Sequence, residues 1–100
     1  MIDSETLLPI GTVVKVKDVK KLLMIYGRNQ IQTKTNTLFD YIAVPYPEGN
    51  ISEQFNVFFN RNMIEDVIYP GYDSPQEVDM REKVELEIKK LKRNNENVTN

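Results

Sequence analysis

The chain has 100 residues, 40% of them apolar and 28% charged, with a net charge of −2, which sets an expectation of one small domain around a modest core. It contains neither cysteine nor histidine, which excludes disulfides, thiolate nucleophiles, cysteine zinc sites and every histidine-based relay within the chain. The longest apolar run, "LLMIY" (residues 22–26), is far too short to span a bilayer. The acidic opening "MIDSETLLPIG" has no basic start and no apolar stretch of signal length, so a cytoplasmic location without membrane insertion is expected.

In chain order, "TVVKVKD" (residues 12–18) alternates as a half-buried strand does, with Val14 and Val16 facing one way and Lys15 and Lys17 the other. "LLMIYG" follows as a strand apolar on both faces, which places it centrally in a sheet. "IQTKTNT" is polar and rich in Thr and Asn, and is expected to be a loop. "LFDYIAVPY" is the next strand, with Asp40, Ile42, Val44 and Tyr46 on one face and Phe39, Tyr41 and Ala43 on the other. Pro45 cannot donate to a ladder, so this strand ends there or runs along an edge. The corner "YPEGN" turns the chain: Pro47 pre-sets φ, and Gly49 supplies a positive φ where the turn demands one. Glu48 sits at its tip. "QFNVFFN" alternates Phe55, Val57 and Phe59 against Asn56, Phe58 and Asn60, with Phe55 and Phe59 expected in the core.

After that strand, Asn60 or Asn62 can cap a short helical turn through Glu65, and "VIYPGY" makes a last strand before Pro70. "SPQE" (residues 74–77) is a capping box with Pro75 in the first helical position. Ser74 is expected to accept from the Glu77 amide, and the Glu77 carboxylate to answer the Ser74 amide. Met80, Val84, Ile88 and Leu91 form one apolar stripe, acids lie early and bases late, and the spacing predicts a helix over residues 75–93. Residues 1–93 form the single domain, and residues 94–100 a frayed polar tail.

Residues 41–80 carry Arg61 alone against Glu48, Glu53, Glu65, Asp66, Asp73, Glu77 and Asp79. With an isoelectric point near 5.1, a nucleic-acid partner is not expected. Glu65 and Asp66 are adjacent and point apart on a helix. Asp73, Glu77 and Asp79 lack the spacing and glycine of a calcium loop, and no glycine cluster could cradle phosphate. These acids are expected to be solvated surface charge, with no catalytic residue, cofactor or metal site. Lys15, Lys17, Lys20 and Lys21 suit an exposed strand edge guarded against aggregation. Seven of the nine aromatics fall within residues 41–72. Phe58 lies on the polar face of its strand, so it is either covered by the helix stripe or part of an exposed patch. Tyr41, Tyr46, Glu48, Phe58, Tyr69 and Tyr72 are the candidate partner-binding residues of that acidic, aromatic surface.

The pieces "LLPIG" (residues 7–11), "YPEG" (residues 46–49) and the pair Phe58–Phe59 resemble a small family of Gram-positive bacterial proteins, catalogued as domain of unknown function family 4176, over roughly residues 7–90. Members are often encoded beside type VII secretion genes and LXG-type secreted toxins. The family has no established activity, so the resemblance implies no catalytic residue. It implies an accessory role, by binding a secreted substrate or a secretion component. The expected fold is α+β: a mostly antiparallel sheet of four or five strands, curled toward a barrel, with one C-terminal helix. The expected function is a non-enzymatic adaptor supporting secretion of a toxin. An immunity protein that neutralises a cognate toxin, and a homo-oligomer joined through the aromatic patch, are the alternatives.

Overall fold

The computed structural model describes residues 6–98, with side chains described through Lys90. The opening residues 1–5 and the last two of the expected tail lie outside the described residues. Five strands, β1 (Val13–Val16), β2 (Leu23–Gln32), β3 (Thr37–Pro45), β4 (Val57–Phe59) and β5 (Ile64–Tyr69), precede one helix, α1 (Pro75–Val98). They form one sheet in the order β4-β3-β2-β1-β5, with every pair antiparallel.

β1, β2, β3 and β4 lie side by side in sequence order, and the step from β4 to β5 then crosses the whole sheet. Only five residue steps separate Phe59 from Ile64, a reach of at most about 18 Å when fully extended. Four strand spacings in a flat sheet are about 19 Å. The link also contains a 3-10 turn over Arg61–Met63, which rises only about 2 Å per residue. The sheet must therefore curl until its two edges approach at this end. It does not close: β4 and β5 share no ladder.

The interior of the curl holds the core. Leu7, Val14, Val16, Leu23, Ile25, Tyr41, Ala43 and Phe59 pack there with Ile88 of the helix. The Tyr41 and Phe59 rings lie 5.3 Å apart and tilted, a favourable aromatic arrangement. The Tyr41 hydroxyl accepts a hydrogen bond from the Leu8 amide at 2.9 Å, so a buried phenol finds its partner in the segment before β1.

Several expectations are corrected. The strand of residues 12–18 is not an edge: β1 is paired with β2 on one side and β5 on the other, and the Lys15 ammonium turns to the carbonyls of Val16 and Val19. Of "IQTKTNT" only residues 33–36 form the expected loop; Ile31, Gln32 and Thr37 extend the strands of a long hairpin, with Ile31 paired to Leu38 and Gln32 to Thr37. The two strands propagate their ladder through polar residues because each pair is registered by the apolar pairs below it. Near the start of β3 the side chains meet partners from outside the β2–β3 hairpin. Asp40 meets Arg61, which reaches Glu85 of the helix, while the Phe39 ring meets Phe58 at 5.6 Å.

Phe55 is exposed rather than core, because the chain forms a 3-10 turn over Glu53–Phe55 before β4 begins. β3 ends at Pro45 as expected. In the corner, Gly49 has φ of +82° and its amide reaches the Pro45 carbonyl at 2.7 Å; the Tyr46–Pro47 peptide is cis.

The capping box is half of what the sequence suggests. Ser74 Oγ accepts from the Glu77 amide at 3.1 Å. The Glu77 carboxylate does not return to Ser74: it accepts from Arg28 Nη1 at 2.8 Å and from the Ile10 amide at 3.2 Å. The Arg28 and Glu77 side chains are only 5% and 8% exposed, so Glu77 is not solvated surface charge. The helix stripe also differs. Ile88 is buried and Val84 partly so, but Met80 is 51% exposed, and Leu91 lies outside the described side chains. The helix therefore meets the sheet side through Glu77, Val84, Glu85 and Ile88, a mixed ionic and apolar seam. Its backbone continues to Val98 rather than stopping near residue 93.

Candidate functional site

The helix covers one face of the sheet and leaves the other open. On the open face, the alternation of β4 that sends Phe59 into the core turns Phe58 outward. Phe58 pairs with Ile42 of β3. In β2 the register shifts between Ile25 and Gly27, so Tyr26 is the extra residue of a bulge, the device that re-aims a side chain. Tyr26, Ile42 and Phe58 form the floor of a groove of about 690 Å³. The tip of the β2–β3 hairpin walls off one end of it, with Ile31 and Lys34, and the turn before β4 walls off the other, with Glu53 and Asn56.

The floor is apolar and part-exposed. Tyr26 is 42% exposed and Ile31 is 56% exposed, while Phe58 and Ile42 are half-buried. Asn56 Nδ2 donates to the Tyr26 hydroxyl at 3.2 Å and to Asn50 Oδ1 at 3.1 Å, which ties the wall to the floor. Asn56 Oδ1 is buried without a partner. A concave site with an apolar floor and a few polar groups around it is the form a binding groove takes.

The strands that carry the floor are also tied to the helix. Arg61 Nε donates to Asp40 Oδ2 at 3.2 Å and Arg61 Nη2 to Glu85 Oε1 at 2.9 Å. Burial works against the Arg61 charge, yet the hydrogen bonds it donates to Asp40 and Glu85 outweigh it and raise the guanidinium pKa. Burial pushes the Tyr41 phenol up, against the opposing hydrogen bond from the Leu8 amide. β3 and β4 thus present the groove floor from a braced platform.

The six residues expected on one patch do not come together. Phe58 is in the groove. Tyr41 is fully buried and faces the core, so it cannot be a contact residue, because its hydroxyl is needed by the Leu8 amide. Tyr46 and Glu48 are exposed at the corner, where Glu48 accepts from Lys21 at 2.6 Å and this hydrogen bond holds its carboxyl below the usual range. Tyr69 and Tyr72 are 68% and 83% exposed, but they lie on and beyond β5, at the other edge of the sheet order from Phe58. Tyr26, Ile31, Ile42 and Asn56 were not singled out in the sequence. The signal for Ile31 was present, as a lone aliphatic in a polar stretch, but only the hairpin register gives it a place.

Among the described residues no helix is long and apolar enough to cross a membrane. No curated protein and no solved structure matches the chain. The model of the family described as "Domain of unknown function (DUF4176)" matches residues 7–80, a span that takes in all five strands, the groove and the start of the helix. The chain belongs to that family.

Proposed function

We propose that the chain is a non-enzymatic, cytoplasmic binding protein of a Gram-positive bacterium. It acts as an adaptor in type VII secretion, docking a segment of a secreted toxin or of a secretion component in the groove on the open sheet face. The observation that carries the reading is the part-exposed apolar lining of Tyr26, Ile31, Ile42 and Phe58 in a groove on the sheet. The likeness of "LLPIG", "YPEG" and Phe58–Phe59 to relatives encoded beside such genes supports the choice of partner class.

The test is a pull-down with tagged protein from its own cells, read by mass spectrometry, for wild type, Ile31→Glu and Tyr72→Ala. Ile31 is exposed, so the glutamate leaves stability within about 0.5 kcal/mol while placing a charge in the groove. A secreted toxin or secretion component retained by wild type and Tyr72→Ala, and lost by Ile31→Glu, is the expected result. The adaptor role further requires the toxin to keep its activity in the complex. Capture that ignores Ile31→Glu, or binding that abolishes toxin activity, contradicts the reading.

A further inference from the structure

Beyond the presence of a docking site, the charges at its rim fix what lies in it and which way round. We infer that the occupant is an extended polypeptide segment with an apolar anchor, an acidic residue at the Lys34 end and a basic residue at the Glu53 end. This rests on the reading of the groove as a docking site.

Lys34 and Glu53 both border the groove, both are exposed, and neither has an ion-pair partner among the described residues. They arrive from opposite ends of the β3–β4 ladder. Glu53 precedes Val57, which pairs with Ala43, whereas Lys34 lies in the turn beyond the Gln32–Thr37 pair. A segment lying along the floor therefore meets one charge at each end, and complementary charges set register and direction more than raw affinity. Between them, Ile31, Ile42 and Phe58 offer an apolar seat. The Tyr26 hydroxyl accepts from Asn56, which leaves its own hydrogen to donate, and an extended backbone supplies carbonyls to receive it. A helix satisfies its carbonyls internally and has no use for that donor.

The probe is a phage-displayed library of random dodecamer peptides. It is selected separately on wild type, Lys34→Glu, Glu53→Lys, the double charge swap, and Ile31→Glu as the blocked groove. Melting curves establish that each variant is folded. Wild type is expected to enrich peptides with acid, apolar anchor and base in one fixed order, and the double swap to enrich the reverse order. A wild-type peptide made synthetically should bind each single variant about two- to fivefold more weakly, as exposed ion pairs do. Enriched peptides that depend on Ile31 but show no charge order leave the docking site standing and overturn this inference. Peptides that bind Ile31→Glu as well as wild type, or no enrichment at all, overturn both. Self-association lost in Ile31→Glu would assign the groove to a second copy and likewise overturn it.

Discussion

Glu77→Gln is the substitution that most sharply separates this structure from the sequence's expectation. On a solvated helix start, the change would cost only a few tenths of a kcal/mol. Here the carboxylate is 8% exposed, 2.8 Å from an Arg28 guanidinium that is itself 5% exposed, and 3.2 Å from the Ile10 amide. The glutamine retains an acceptor for one donor but leaves the Arg28 charge buried without its counterion. Breaking a buried pair from one side costs about 3–5 kcal/mol. For a domain of this size that lowers the melting temperature by at least about 12 °C. Replacing both partners, Arg28→Met with Glu77→Leu, removes the stranded charge and should return stability to within about 2 kcal/mol of wild type. Urea unfolding followed by circular dichroism, at constant pH and salt, measures all three. A single mutant within about 1 kcal/mol of wild type, or a double mutant no better than the single, would refute the argument.

Gly71→Ala should be severe, because a Cβ there would run into the Ile10 carbonyl and crowd the Thr12 amide, both backbone atoms that cannot swing aside; we expect a loss above about 2 kcal/mol in the same unfolding assay. Tyr41→Phe strands the Leu8 amide and should cost about 1–3 kcal/mol near neutral pH. The Tyr41 pKa is raised in the folded chain from its ordinary value of 10.0, so its contribution is complete below pH 10 and falls as pH rises through the folded value. Wild type should therefore lose stability above pH 10 more steeply than Tyr41→Phe, and parallel pH profiles would count against this. Ile88→Ala should cost about 2–4 kcal/mol and Met80→Ala less than about 0.5 kcal/mol, because only Ile88 is buried.

The strands, their order of appearance and the helix start were legible because each is a local pattern: alternation in β1, a two-faced apolar run in β2, and Ser74-Pro75 at the head of α1. What the sequence withheld is what depends on partners far away in the chain. Arg28 and Glu77 are 49 residues apart, and neither looks buried until the curl brings β2 under the helix. Tyr41 and Phe58 belong to the same aromatic-rich stretch, yet adjacent strands give them opposite fates. Tyr41 turns inward to the Leu8 amide and Phe58 outward to the groove. The groove itself needs the Tyr26 bulge and the Ile31–Leu38 register, and no window of residues encodes either one alone.

The central claim is that the open sheet face, and not the helix or the β5 edge, meets the partner. Site-specific photocrosslinking from a benzoylphenylalanine placed at Ile31, at Tyr72 or at Glu87, in cells producing the tagged protein, tests it most directly. All three positions are exposed, so each variant should fold. The account predicts one discrete crosslinked product from residue 31, containing a secreted toxin or secretion component, and none from residues 72 or 87. Products of equal yield from all three positions, or a product from residue 72 or 87 alone, would contradict it.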